Sequence, residues 1–468
     1  MDGRGGKPRP IRVASGQGFW GDDLDAPVRQ VEGGPIDYLM MDYLAEVTMS
    51  IMQKQRDRDP SAGYARDFVP LMERLLPSIV EKGVRVVTNA GGVNPIGCAE
   101  ALLEAAERAG VGRRVKIGMV SGDDLLPHLH RLLEEGHELA HMETGEGMES
   151  IRDRIRNANV YMGAAPIVEA LGKGADVVLT GRSADAALTY APLIHEFGWS
   201  FQDHDRLAAG VVAGHINECG AQTSGGNTLA DWWAIPNLAE VGFPIIEAEP
   251  SGEFVVTKHE GTGGRVSRAT VAEQMVYEIG DPSAYITPDV VADFTTLSLR
   301  EEGRDRVRVL NVRGRPRTEF LKVSAAYSGG YKAVGTLVYA WPDAPLKARM
   351  AERVLRERLD RLGLRFDEIR GELVGWSSTQ GSLAGDPPRD IPEVQLRVGV
   401  RGPDRRAVER FTRELAPLVL TGPPSATGFA GGRPRVQEVI AYWPALVRRE
   451  AVEPYFRVEM MGQNGRGD

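Results

Sequence analysis

The chain has 468 residues, 42% of them hydrophobic, and a formal net charge of −9 at pH 7. A chain of this length is too long to fold around a single hydrophobic core, so two or three globular domains are predicted. Acidic and basic residues alternate along the chain and form no basic face, so the composition argues against nucleic acid or an anionic membrane as a partner.

The predicted location is the cytoplasm. The first ten residues, MDGRGGKPRP, are polar and lack the apolar segment of a secretory signal. No apolar run approaches the ~20 residues that cross a bilayer. Cys98 and Cys219 are the only cysteines, too few for a disulfide framework, and both are expected to be reduced.

Short apolar runs alternate with helical patterns through the first half of the chain. The runs IRVA (11–14), VRVVT (84–88), RVKIGMV (114–120) and DVVLT (176–180) have the length and apolar character of buried strands. The clearest helical spacing covers residues 36–51, and further helices are predicted near 66–80, 95–109, 124–135 and 158–172. This alternation predicts an α/β fold with a parallel, Rossmann-like sheet.

Each predicted strand is followed by a segment rich in glycine and polar side chains. The four segments are 15–23, 89–95, 121–124 and 181–185. Ligands of open α/β sheets bind at the carboxyl edge of the strands, so these segments predict a binding pocket. Ordinary helix capping remains the alternative for each one. The substrate-binding candidates in them are Gly16, Gly18, Phe19, Asp22, Asn89, Gly91, Gly92, Asn94, Asp123, Arg182 and Ser183.

Arg182 and Asp185 follow the last of these strands, at the mouth of a predicted helix. A guanidinium at this place can bind a substrate carboxylate, phosphate or thioester-linked acid through two hydrogen bonds. The alternative is an internal Arg182–Asp185 ion pair. We favour substrate contact because the segment lies on the predicted ligand edge.

The chain changes character near residue 330, and we predict domains at 1–330 and 331–468. Residues 200–330 are expected to be a strand-rich elaboration of the first domain. The second domain has the order β-α-β-β-α-β, which is typical of a ferredoxin-like α+β sandwich.

The segment GHINECGAQTSGGN (214–227) is unusually polar and rich in glycine. His215, Glu218 and Cys219 would share a face on a helix, although the flanking glycines make a turn equally compatible. Polar side chains of this kind need partners if they are buried, so we expect the segment to form a wall or lid of the pocket, with Gln222 and Asn227 contacting substrate. A divalent metal remains an alternative, with further ligands such as Asp123 or His195.

A second glycine-rich segment, KHEGTGGRV (258–266), directly follows a predicted strand. Lys258 and Thr262 could hold an anion in a backbone nest, and a plain hairpin turn is the alternative.

Five segments carry a resemblance to a known family. They are SGQGFWGDD, TNAGGVNP, TGRSADAALTYAPLIHEFGW, AGHINECGAQTSGGN and TKHEGTGGRV. In this order, over nearly 330 residues, the chain resembles the acyclic terpene utilisation (AtuA-like) family. The resemblance implies catabolism of branched acyl chains as coenzyme A thioesters.

From the residues and the resemblance together, we expect an enzyme that acts on a branched-chain acyl-CoA or related organic acid, as a lyase or hydro-lyase. The catalytic candidates are His215, Glu218, Cys219 and Asp185, which could transfer protons or form a nucleophile. No separate cofactor is predicted, coenzyme A would be part of the substrate, and a homo-oligomer is expected. The alternative is a non-catalytic ligand-binding or assembly partner of an acyl-CoA-processing complex.

Overall fold

A computed structural model describes residues 9–388, 390–428 and 432–462. Within these residues the strands are β1 (Ile11–Gln17), β2 (Tyr38–Met41), β3 (Arg85–Thr88), β4 (Ile117–Ser121), β5 (Ile155–Val160), β6 (Val177–Thr180), β7 (Ile245–Ala248), β8 (Phe254–Thr257), β9 (Tyr285–Ile286), β10 (Val290–Asp293), β11 (Ser298–Gly303), β12 (Arg306–Leu310), β13 (Arg313–Pro316), β14 (Phe320–Ala340), β15 (Glu368–Val374), β16 (Glu393–Gly402), β17 (Gln437–Arg448) and β18 (Arg457–Met461).

The α-helices in the same ranges are α1 (Ala26–Glu32), α2 (Glu46–Arg58), α3 (Phe68–Lys82), α4 (Pro95–Arg108), α5 (Leu129–Glu134), α6 (Ala165–Gly172), α7 (Ala187–Phe197), α8 (His204–Glu218), α9 (Arg268–Val276), α10 (Ala344–Arg361), α11 (Arg405–Phe411), α12 (Leu418–Thr421) and α13 (Arg449–Val452). No helix in the described ranges combines the length and apolar character needed to cross a membrane.

The described chain divides into two compact units. The first contains residues 9–152, 156–325 and 442–462, and the second contains 153–155 and 326–441. The domain prediction placed everything after residue 330 in the second unit. Residues 442–462 belong to the first because β18 pairs antiparallel with β4, a long-range pairing that periodicity along the chain does not reveal.

The first unit contains a ten-stranded mixed sheet in the order β11-β12-β8-β7-β1-β2-β3-β6-β4-β18. Five adjacent strands, β1-β2-β3-β6-β4, are parallel to one another. The pairs on either side are antiparallel, with β7, β8, β12 and β11 beyond β1 and with β18 beyond β4. The predicted α/β class is therefore confirmed, and the sheet is mixed.

Alternate residues of the parallel strands enter two hydrophobic cores. Tyr38 and Met40 of β2 lie in one core with apolar side chains of α6, α7 and α8. Leu39 and Met41 lie in the other with those of α3 and α4. Burial of both faces explains why these strands are continuous apolar runs.

The four predicted strands are present as β1, β3, β4 and β6, but the predicted helix over 36–51 is wrong. Its first part is β2, and α2 begins only at Glu46. A short apolar run buried on both faces can match helical spacing by chance, because periodicity alone does not separate the two structures. Similarly, the helix predicted over 158–172 begins at Ala165 and is preceded by β5.

The second unit has its own core and sheet. Its strands lie in the order β15-β16-β14-β17, and β16 is antiparallel to both neighbours. Leu355 and Leu359 of α10 and Phe411 of α11 share a core with Leu396 and Val398 of β16. The element order is strand, helix, strand, strand, two short helices, strand.

Candidate active site

The first unit contains a cavity of about 470 Å³. Its lining includes residues that follow the parallel strands, the end of α8 and the start of β14. Six of its polar or charged lining residues are Glu46, Tyr161, Asp185, His215, Glu218 and Lys322. Three of these, Asp185, His215 and Glu218, are among the catalytic residues predicted from sequence.

His215 and Glu218 form a hydrogen-bonded pair on the last turn of α8. The structure favours the helical alternative for this segment, because α8 continues through Glu218 and places residues three apart on one face. His215 Nδ1 lies 3.0 Å from Glu218 Oε1, and His215 Nε2 lies 3.0 Å from the Gln274 carbonyl oxygen. The second oxygen of Glu218, Oε2, is buried without a hydrogen-bond partner.

Glu218 favours the protonated form of His215. Burial by itself would lower the pKa of His215, but the hydrogen bond and negative charge of Glu218, with the Gln274 carbonyl, outweigh this effect and raise it. A protonated imidazole can donate a hydrogen bond from each ring nitrogen, one to Glu218 and one to the Gln274 carbonyl oxygen. The pair can therefore hold a proton next to the cavity.

Arg182 lies behind Asp185 and does not line the cavity. Its side chain is 1% exposed, donates to the Leu44 carbonyl oxygen at 2.8 Å, and pairs with Asp185. The guanidinium carbon also lies 4.3 Å from the centroid of the Tyr161 ring. The internal ion pair is thus present, and the cavity-facing member is Asp185.

Acidic groups outnumber the single guanidinium at this place. Burial raises the pKa of Asp185 well above its ordinary value, against the lowering effect of Arg182, and the charges of Asp42 and Glu218 raise it further. Burial also raises the pKa of Asp42 to about 6, although Arg182 lowers it. Carboxyl groups crowded in this way favour retention of a proton, which is the property of a general acid.

A buried polar network supports the cavity from the ends of β2, β3 and β4. Asn89 accepts from the Tyr43 backbone N–H at 2.7 Å and donates to Asp42 at 2.6 Å. Asp123 accepts from the Arg182 backbone N–H and from Asn159, both at 2.9 Å. Asn89 and Asp123 therefore fix the backbone around the cavity, and neither is among its lining residues.

Asp123 gives a testable pH dependence. Burial raises its pKa to about 6 in the folded protein, above the value of about 4 of an exposed aspartate. Its contribution to stability is therefore complete below pH 4 and is lost as the pH rises to about 6. Relative to wild type, Asp123→Asn is expected to become more stable over this interval, by about 1–3 kcal/mol at pH 7. Melting temperatures from pH 4 to 7 test this, and a constant difference would contradict it.

The segment 15–23 contacts the end of α8. A Cβ atom added to Gly18 would lie 2.8 Å from both the Cys219 carbonyl carbon and the Gly220 nitrogen. The Gly18 N–H donates to Asp22 at 2.9 Å, while Phe19 is exposed. Gly16, Gly18, Phe19 and Asp22 are not among the lining residues of the cavity. Their segment instead packs against the helix end that carries Glu218.

This close approach predicts the effect of a single methyl group. Gly18→Ala is expected to destabilise the protein by about 1–3 kcal/mol, because backbone atoms would have to move to accept the new Cβ. Gly172→Ala is a matched control, since Gly172 lies in α6 and an added Cβ would meet no atom within 4 Å. Thermal unfolding of both variants measures the difference, and equal melting temperatures would contradict the contact.

The remaining binding candidates are also absent from the lining of this cavity. They are Gly91, Gly92, Asn94, Ser183, Gln222, Asn227, Lys258 and Thr262. Asn94 caps α4 by accepting from the Gly97 N–H at 3.1 Å, and Lys258 donates to the Thr262 carbonyl oxygen at 2.9 Å and pairs with Asp305 at 3.3 Å. Helix capping accounts for the contact of Asn94, and contacts within and beside its own turn account for those of Lys258.

Cys219 follows the last residue of α8 and is half-buried. Burial raises the pKa of its thiol, and the nearby charge of Glu218 raises it further, so the environment opposes thiolate formation. Among the described residues, no group of three or more His, Cys, Asp or Glu side chains is arranged to hold a metal ion. The divalent-metal alternative therefore finds no such cluster in the described residues.

Sequence reasoning missed Glu46, Tyr161 and Lys322. Glu46 lies after β2, which falls within the predicted helix over 36–51, and Tyr161 lies after β5, whose last three residues fall within the predicted helix over 158–172. Ligand-binding residues are expected to follow the strands of an open α/β sheet, so predicting these two segments as strands would have pointed to both residues. Lys322 lies near the start of β14 and carries no comparable signal in the sequence.

The family model for the acyclic terpene utilisation family protein AtuA matches residues 11–458. The chain belongs to this family. The resemblance inferred from the five segments is therefore confirmed over nearly the whole chain, and membership of the AtuA family implies a role in acyclic terpene utilisation. Searches of curated proteins and of solved structures return no match.

Proposed function

We propose that this AtuA family member is an enzyme acting on a branched-chain acyl-CoA or related organic acid, as a lyase or hydro-lyase. The observation that carries this proposal is the His215–Glu218 pair, joined at 3.0 Å, on the wall of the same cavity as Asp185. A base and an acid facing one cavity are what the removal of a proton and a leaving group requires.

In the dehydration direction, Glu218 removes the proton next to the thioester carbonyl. Asp185, whose raised pKa favours the protonated form, donates its proton to the leaving hydroxyl group. The C–H and C–O bonds break, a C=C bond forms, and water leaves. His215 orients Glu218 through their hydrogen bond and is a positioning residue in this scheme.

The alternative is a protein that binds an acyl-CoA without converting it, as an assembly partner. Incubation with a branched-chain acyl-CoA in D₂O separates the two. The proposal requires deuterium incorporation next to the carbonyl, or gain or loss of water, measured by mass spectrometry. Saturable binding with neither change would support the non-catalytic role.

We also propose that the first unit is Rossmann-like and the second ferredoxin-like. The parallel pairing of β1, β2, β3, β6 and β4 supports the first assignment. The strand order β15-β16-β14-β17, with antiparallel pairing of β16 to β14 and β15, supports the second.

A further inference from the structure

Lys322 is the only lysine or arginine among the lining residues identified for the cavity. Its ammonium nitrogen lies 3.3 Å from Glu46 Oε1 and 4.9 Å from the centroid of the Tyr161 ring. The Tyr161 N–H donates to the Lys322 backbone carbonyl oxygen at 2.9 Å, which ties the two residues together. The Lys322 side chain is 41% exposed, so a ligand entering the cavity can reach it.

Large apolar side chains line the same cavity and are exposed to solvent. They are Met142, Ile286, Phe320 and Leu446. Exposed apolar side chains grouped around a cavity mark a surface for an apolar ligand. Their combination with one cation fits an amphiphilic molecule, in which a hydrocarbon chain carries an anionic group.

We propose that Lys322 binds an anionic group of the substrate and that Glu46 holds the lysine in place until the ligand arrives. The inference rests on the proposed function. It makes Lys322 a residue that determines specificity by binding a part of the substrate away from the reacting carbons. A carboxylate on the acyl chain and a phosphate of coenzyme A share this chemistry, because both accept hydrogen bonds from an ammonium group.

Two substitutions are expected to act in opposite directions. Lys322→Met keeps the apolar stem and removes the charge, so it should weaken binding of the anion by about threefold to tenfold. Glu46→Gln removes the competing carboxylate and should strengthen binding of the same anion. A general loss of packing would weaken binding in both variants, so opposite signs identify the electrostatic contact.

Isothermal titration with octanoate, octanamide and coenzyme A tests the proposal on the full chain. Lys173→Met is the matched control, because Lys173 also pairs with a glutamate, Glu169, at 2.8 Å and is not among the cavity-lining residues. Unchanged melting temperature confirms folding of each variant, and Lys322→Gln replaces Lys322→Met if the latter unfolds.

Loss of octanoate affinity in Lys322→Met, with octanamide unaffected, identifies a carboxylate as the anion. Loss of coenzyme A affinity alone identifies a phosphate. Unchanged affinity for both, or absence of binding of both to the wild type, overturns the inference. These titrations measure binding only, so their outcome is separate from any turnover measured for the proposed reaction.

Discussion

Glu218→Gln is expected to lower turnover of a branched-chain acyl-CoA by about 10²–10⁴-fold while leaving the melting temperature nearly unchanged. Glutamine keeps the size of the side chain and can still hydrogen-bond to His215, which lies 3.0 Å away, but it cannot accept a proton from substrate. The effect should fall mainly on kcat, because the lost interaction belongs to the transition state.

The chain offers a matched control for this substitution. His130 and Glu134 form a similar pair at 3.1 Å, but both side chains are exposed on α5. Glu134→Gln should change neither turnover nor stability. His215→Asn tests the positioning role, since it should lower kcat and alter the pH dependence of kcat without abolishing binding. Turnover of Glu218→Gln within twofold of wild type would remove Glu218 from the mechanism.

Arg182→Met is expected to cause the largest loss of stability. The substitution removes the buried side chain that donates to Asp185 and to the Leu44 carbonyl oxygen, and losing buried contacts of this kind costs about 3 kcal/mol. We expect the melting temperature to fall by roughly 3–8 °C. Differential scanning calorimetry at pH 7 measures the change.

An exposed arginine–aspartate pair provides the comparison. Arg66 and Asp59 lie 2.6 Å apart on the surface, and Arg66→Met should shift the melting temperature by no more than about 1 °C. Adding Asp185→Asn to Arg182→Met should cost less than the sum of the two single substitutions, because both remove the same contact. Equal effects of Arg182→Met and Arg66→Met would show that the buried pair contributes nothing beyond a surface contact.

Local sequence patterns correctly predicted strands whose apolar run is bounded on both sides by glycine or polar residues. VRVVT ends in Thr88 and is followed by glycines, so its length and flanks identified β3. YLMM, buried on both faces as β2, had the same character but was flanked by apolar residues that extended a helical spacing. The pairing of β18 with β4 joins residues more than 300 positions apart, which no local pattern contains.

The same distinction applies to the site. His215, Glu218 and Asp185 stood out because their segments are too polar to bury without partners. The sequence left the internal Arg182–Asp185 pair as the less favoured alternative, and it did not show that Asn89 and Asp123 would hydrogen-bond to the backbone. Buried polar groups with internal partners and polar groups awaiting a ligand have the same composition, and only the three-dimensional contacts separate them.

A crystal structure of Glu218→Gln bound to a branched-chain acyl-CoA would locate the substrate relative to residue 218, since the variant should bind substrate and convert it slowly. We expect the acyl group in the cavity lined by Asp185 and His215, with the carbon next to the thioester carbonyl within about 3.5 Å of the residue 218 side chain. An acyl group bound outside this cavity, or oriented with that carbon away from residue 218, would contradict it.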